Sequence, residues 1–237
     1  MRRLTGVEER LDGPLTDQRA LVGNLRDLAR VNRRLGGTKL SAAAIDSLAP
    51  GRSPISILDV GTGAADIPLA LIDRGRAHGR LVTVTALDSR PEVVAAAAIA
   101  QPRVGTTGEL ALQVGDGRAL PFDDEAFDVV HSSLVVHHLD ASAARGLLAE
   151  MARVARRGVV LNDLVRSRRS WLGAWLLSHL ATSNPFTRVD APMSVRRAYT
   201  VAELTALLAS AGLRVERRFD GFAGHRVALA ARRNGRS

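Results

Sequence analysis

From residue 55 to residue 163, short runs of Ile, Val and Leu alternate with stretches whose apolar residues return every three or four positions. That interleaving of strand and helix periods is the signature of a parallel α/β sheet. The strand candidates are Ile55–Val60, Leu81–Asp88, Glu109–Gly115, Phe127–Ser133 and Gly158–Asp163. Their apolar runs lack strict alternation, as expected when helices cover both faces of the sheet. Helix starts are marked as well: Ser89 with Glu92 and Thr200 with Glu203 have the S/T-x-x-E spacing of capping boxes, the first with Pro91 in its opening turn. Leu147, Leu148, Met151 and Val154 form one helical stripe, and Leu204, Leu207, Leu208 and Ala211 form another that Gly212 ends.

The flanks differ. Residues 1–50 are expected to form a helical cap, with Thr16 as N-cap, Leu21, Leu25, Leu28 and Val31 at helical spacing, and Gly36-Gly37 as the stop. Residues 51–237 form the main domain, interrupted at 164–199 by a segment that breaks the alternation. There Trp171, Leu172, Trp175, Leu176 and Leu180 share a helical face, followed by a loop containing Pro and Arg. Its place after the fifth strand, at the ligand-binding edge of an open α/β sheet, predicts a substrate lid. Two last apolar runs, Leu213–Phe219 and His225–Ala231, are separated by Gly221 and Gly224 and predict a closing hairpin.

Composition narrows the chemistry. With 46% hydrophobic residues the 237-residue chain can bury a large core, built on Ala, Leu and Val because aromatics make up only 3%. The absence of cysteine excludes disulfides, thiolate metal sites and cysteine nucleophiles, and no metal is expected. A net charge of +9 raises nucleic acid or an anionic membrane as partners. The cations are nearly all Arg, with Lys39 the only lysine, and pairs such as Arg168-Arg169 and Arg196-Arg197 are spread along the chain, so they are taken as solvated faces. No apolar stretch follows Arg2-Arg3, and Trp171–Leu177 is far shorter than a membrane span, so a cytoplasmic protein without signal peptide is expected. Oligomeric state is unreadable.

The informative segment is Ile57-Leu58-Asp59-Val60-Gly61-Thr62-Gly63-Ala64-Ala65-Asp66, a strand, a tight turn and a helix start. Gly61 suits the turn and Gly63 lets backbone approach a ligand. Asp59 and Asp66 flank the turn and would repel a pyrophosphate, but suit a cationic ligand. Asp88 ends the second strand, placed to accept from ribose hydroxyls, and Asp116 follows the third, placed to accept from a purine amine. These residues resemble the class I S-adenosyl-L-methionine-dependent methyltransferases, with Ala65 where a third glycine is usual. Leu120-Pro121-Phe122, Phe127-Asp128-Val129-Val130 and Val136-His137-His138-Leu139 are similar to the small-molecule branch that includes the ubiquinone and menaquinone methyltransferases.

The resemblance implies a Rossmann-like sheet of seven mostly parallel strands, the last antiparallel, with helices on both faces. It implies S-adenosyl-L-methionine as cofactor, S-adenosyl-L-homocysteine as product, and Asp59, Gly61, Thr62, Gly63, Asp88, Ser89, Asp116, Gly117 and Ser132 around it. By analogy the N-terminal segment folds over the cofactor, where Arg33 would meet the methionine carboxylate. His137 and His138 are the candidates for a general base, and Asn162 and Asp163 for orienting a substrate hydroxyl or for capping. The expected reaction is O-methylation of an aromatic or polyketide-like metabolite. Alternatives are C- or N-methylation of a small molecule, an RNA methyltransferase, or a cofactor-binding homologue that does not transfer methyl groups. His131-Ser132-Ser133-Leu134 stands where base-amine methyltransferases carry [DN]-P-P-[YF], which disfavours nucleic acid as substrate. NAD-dependent oxidoreduction is disfavoured by Asp66.

Overall fold

A computed structural model describes residues 1–7, 18–101, 108–180 and 185–235. Among them seven strands form one sheet: β1 (Ile55–Val60), β2 (Val82–Asp88), β3 (Leu110–Val114), β4 (Phe127–Ser133), β5 (Ala155–Leu164), β6 (Leu213–Asp220) and β7 (Arg226–Arg233). Their order is β3-β2-β1-β4-β5-β7-β6, and β7 is antiparallel to both its neighbours while the pairs from β3 to β5 are parallel. The order reverses between β1 and β4, which opens a crevice at the carboxyl ends of those strands, where such sheets take their ligands.

Helices cover both faces. On one side lie α2 (Gly37–Leu48), α3 (Asp66–Ala77) and α4 (Pro91–Ala100), with Ile45, Leu48, Ile67 and Ile72 packed on Ile57, Val84 and Val160. On the other, α5 (Ala141–Val154) and α8 (Val201–Ser210) set Leu147, Leu148, Met151, Leu204 and Leu208 against Leu58, Val130 and Leu161. Adjacent residues of one strand thus serve opposite cores, which explains the unbroken apolar runs. Helix α1 (Gln18–Arg34) packs on α4 through Leu21, Leu25, Val93 and Ala96.

Several local expectations change. The Gly36-Gly37 pair breaks one helical zone into two helices, Gly36 taking φ +79° ahead of α2. Thr16 lies outside the described residues. The expected Pro- and Arg-containing loop of the lid is helical over α7 (Pro185–Arg197), behind α6 (Arg168–Leu180). Pro185 fits its first turn, and Pro192 is carried within the helix. Strand β5 is longer than expected, following α5 without a connecting loop. Arg156 and Arg157 at its start both donate to Asp128 Oδ1, at 3.1 and 3.2 Å.

The two capping boxes part company. Thr200 Oγ1 accepts the Glu203 N–H at 3.3 Å, and Glu203 Oε2 accepts the Thr200 N–H at 2.7 Å. Arg166 adds two bonds to the same carboxylate. Before α4 the N-cap is Arg90, one residue later than expected, with no side-chain cap; Ser89 is exposed and Glu92 accepts from Arg90 Nε instead. Thr200→Ala is therefore expected to cost about 1 kcal/mol. Ser89→Ala should stay within about 0.5 kcal/mol of the parent. Urea denaturation of both variants checks the contrast.

Candidate active site

Gly61 leaves β1 at φ +75°, and its amide and that of Thr62 both donate to Leu87 O, at 2.8 and 3.0 Å. A side chain at Gly61 would collide with Val135 Cγ2, so the loop after β4 is seated directly on the glycine turn. Gly63 follows at φ +53° and donates its N–H to Asp88 Oδ2 at 3.1 Å; the Arg90 N–H donates to Oδ1 at 3.2 Å. Ala65 adopts φ +54°, a left-handed conformation that costs an L-residue roughly 1–2 kcal/mol. The strain gives a reason for the glycine usual at this position, and burial of the Ala65 methyl against the α2–α3 core offsets part of it.

The acids along this rim are not equivalent. Burial pushes the Asp88 carboxyl above its ordinary value, against the pull of the Gly63 and Arg90 amides. Asp66 in the first turn of α3 is likewise raised by burial, against its bond with Asn32, and the Asp59 charge adds to the rise. Asp116 is exposed and held below the ordinary range by Arg118, whose Nη2 lies 2.8 Å from Oδ2. Gly117 beside it is a packing requirement: a Cβ there would lie 2.6 Å from Val60 Cγ1 and 2.7 Å from Leu147 Cδ1. Thr62 Oγ1 is buried with no hydrogen-bond partner among the described residues, an unanswered polar atom in the turn itself.

Of three expected cofactor contacts, Ser132 and Asp59 are engaged elsewhere and Arg33 stands exposed. Ser132 is fully buried and donates to Val60 O at 2.9 Å, closing β4 on β1. Arg33 is exposed on α1, whereas its neighbour Asn32 is buried. Asp59 is turned under α2, with Oδ1 2.6 Å from Nδ1 of His131, its direct neighbour across the β1–β4 pair.

Asp59 is one end of a buried hydrogen-bond chain whose source is Arg226 at the start of β7. Arg226 Nε donates to Asn162 Oδ1 at 2.6 Å, Nη1 to Asn32 Oδ1 at 2.7 Å and Nη2 to Ser133 Oγ at 2.5 Å. These bonds fix both amides. Asn162 Nδ2 then donates to Gly37 O at 2.9 Å and Ser41 Oγ at 2.7 Å, and Asn32 Nδ2 to Asp66 Oδ2 at 3.4 Å. Asp59 as a carboxylate can only accept, so the His131 Nδ1–H donates to it, and in the neutral imidazole Nε2 then accepts from Ser41 Oγ at 2.8 Å. Burial pushes the Arg226 guanidinium down to about 10, against the attraction of Asp163 and Asp66, so it is charged at neutral pH. Arg226, Ser41 and His131 escaped sequence reasoning. The visible signals were a histidine inside the apolar run Val129-Val130-His131 and an arginine opening Val227–Ala231.

The histidine pair lies on a 3-10 turn, Val136–His138, after β4. His137 is buried, its Nδ1 2.6 Å from Asp163 Oδ1, and its backbone N–H donates to Asp163 Oδ2 at 3.1 Å. Burial alone would raise the Asp163 carboxyl; the His137 imidazole, its hydrogen bond, the Leu164 amide and Arg226 outweigh it and hold the group below its ordinary value. His138 is half-buried, its ring 4.1 Å from that of His137. Arg3 Nη2 and Tyr199 Oη donate to Leu139 O at 2.8 and 2.9 Å, and Arg197 Nη2 to His138 O at 3.0 Å, so the turn is tied to the end of the lid. Asn162 and Asp163, expected to meet substrate or cap a helix, instead serve the buried chain and His137.

A parallel sheet that reverses at β1 and β4, a glycine turn after β1 and an acid after β2 define a nucleoside-binding α/β domain. Residues 58–161 match the methyltransferase domain family, and the fold is the one shared by class I S-adenosyl-L-methionine-dependent methyltransferases. The uncharacterised protein Rv1405c of Mycobacterium tuberculosis is 30% identical over 194 residues, 78% of this chain and 64% of that protein. Human N-acetylserotonin methyltransferase, solved with S-adenosylmethionine, superposes with a TM-score of 0.66 at 20% identity, over 92% of this chain and 56% of that one. The mitomycin 7-O-methyltransferase MmcR gives 0.60 at 24% identity, over 92% and 61%. The chain thus spans less than two thirds of each of these proteins.

The charge chain predicts that Arg226→Met, which leaves the Asn162 and Asn32 carbonyls without their donor, costs about 3 kcal/mol or more. Denaturant midpoints measure the loss, and limited proteolysis should show earlier cleavage in α1 and α2. Asp66 and Asp88 titrate higher folded than unfolded, so the cofactor-free domain binds more protons than the unfolded chain above the ordinary 3.8. These two groups therefore lower its stability as pH rises through that window.

Proposed function

We propose that the chain transfers a methyl group from S-adenosyl-L-methionine to an oxygen of a small aromatic or polyketide-like acceptor. In this reading His137 is the general base and Asp163 its positioning partner. The observation that carries it is the His137 Nδ1–Asp163 Oδ1 contact of 2.6 Å on the rim that also bears the glycine turn. A carboxylate on Nδ1 holds the imidazole in the tautomer whose Nε2 is free to take a proton, which is how an oriented base is recognised. Val135 against Gly61 keeps the histidine turn and the cofactor turn in one rigid unit.

The residues fit the cofactor. Thr62 Oγ1 is a buried polar atom awaiting a partner, Gly61 and Gly63 leave backbone bare, and Asp88 is oriented by two amides with capacity left to accept ribose hydroxyls. Asp116 and Gly117 would flank the adenine, with Ser89 exposed beside Asp88. Asp59 and Asp66 support the turn from beneath, each tied into the buried hydrogen-bond network. When bound, the sulfonium supplies an electrophilic methyl group. The protein's part is to align the acceptor, keep water out and accept the acceptor's proton at His137 Nε2. A phenol with an ordinary pKa near 10 gains from such a base. The O-methyltransferase MmcR among the structures of like fold supports oxygen as the target.

His137→Ala should lower kcat by about 10²–10⁴ while leaving cofactor affinity unchanged. Asp163→Asn should show a similar loss, and His138→Ala less than about tenfold. Loss of the acidic limb of the pH–rate profile in His137→Ala would identify the base; parental turnover in both histidine variants would remove it. Cofactor affinity, followed by calorimetry, should weaken as pH falls through the raised Asp88 value. Asp88→Asn should weaken it roughly 10- to 100-fold and flatten that dependence.

A further inference from the structure

Among its described side chains, helix α6 buries serines and exposes apolar residues. Ser170 and Ser178 are buried, while Leu172, Trp175 and Leu176 are 50%, 41% and 42% exposed. These three share a stripe with exposed Arg168, Arg169 and His179, at the spacing that aligns side chains along one helix face. The 3-10 turn Phe222–Gly224 between β6 and β7 packs against α6, with Ser170 Oγ donating to Gly224 O at 3.3 Å, and it presents Phe222 at 84% exposure. Exposed Arg34 and Lys39 line a shallow groove with Phe222 and with Asp220, whose carboxylate is held by Arg218. From residue 164 to residue 189 the sequence carries four arginines and no acidic residue.

We propose that α6 and the Phe222 turn form a docking face for an anionic lipid surface, with Leu172, Trp175, Leu176 and Phe222 entering the headgroup region and Arg168 and Arg169 pairing with phosphates. Helices that lie in a bilayer interface combine these parts, an apolar face carrying Trp and Leu with cations beside it. A protein partner is the poorer fit: four exposed apolar side chains are few beside the roughly 20–30 residues a side of a stable interface. The face also stands where a membrane-derived acceptor would enter. Helix α6 begins just after β5 delivers Asp163, and α7, packed on α6, abuts the His137–His138 turn. That the acceptor itself partitions into lipid rests on the methyl-transfer reading; the docking does not.

Vesicle sedimentation of the full chain, without cofactor or acceptor, tests the docking separately from that reading. Phosphatidylcholine vesicles containing phosphatidylglycerol should retain the protein, pure phosphatidylcholine should not, and added salt should release it. Trp175→Gln with Leu176→Gln, both at exposed positions and checked for fold by circular dichroism, should lower retention at least about tenfold. Arg168→Gln and Arg169→Gln should each lower it about fivefold. Brominated acyl chains should quench tryptophan fluorescence in the parent, and less so in Trp175→Gln. No retention on anionic vesicles overturns the proposal. So does retention indifferent to the Trp175 and Leu176 changes, which is adsorption by charge alone. A dimer in light scattering that Leu176→Gln dissociates overturns it too, by assigning the face to a second copy.

Discussion

Arg226 brings a charged group that can only donate into a place sealed from water, and the interior around it supplies three side-chain acceptors, on Asn162, Asn32 and Ser133. Its three hydrogen bonds orient Asn162, Asn32 and Ser133, and through them Ser41 and His131. Both branches end on acceptor-only carboxylates, Asp59 and Asp66, one on each side of the glycine turn. An isolated guanidinium in such a place would be costly. Here every neighbour that could waste a hydrogen bond is given one direction, and α1, α2, β4, β5 and β7 are held to one another by that order.

The arrangement shapes the electrostatics of the rim. Asp59 and Asp66 are drawn away from the ligand side, Asp59 by His131 of β4 and Asp66 by Asn32 of α1. Asp88 is left as the acid poised at the edge, oriented by amides and made reluctant to ionise by burial until hydroxyl donors or a cation arrive. His137 is treated differently, its partner Asp163 kept ionised by the imidazole and by Arg226. One buried arginine thus influences both the glycine turn and the His137–Asp163 pair.

Much of this was legible in the chain. Strand positions followed from apolar runs, the sheet's class from their alternation with helical periods, and the cofactor turn from Gly61-Thr62-Gly63 beside carboxylates. What the sequence hid was direction. Asp59 and Ser132 lie at the expected strand ends, but strand periodicity says only which face a side chain takes, and their partners, His131 across the sheet and the Val60 carbonyl, are tertiary. Arg33 and Arg226 look alike on paper; burial separates them, and burial depends on Gly37 making room. The second lid helix was missed because proline discourages a helix reading, although α7 carries Pro192 within it. The capping residue of α4 shifted by one position because Pro91 sets where the helix begins.

Gly37 and Arg226 meet from distant parts of the chain: a methyl carbon at 37 would lie 2.4 Å from Arg226 Nη1 and 2.8 Å from Cζ. Among relatives, these positions should change in concert, a larger residue at 37 appearing only where 226 has given up its arginine. The asparagines would follow, since an amide pinned by no donor is free to flip. Drift at these positions would thus be channelled, the polar interior changing as one block.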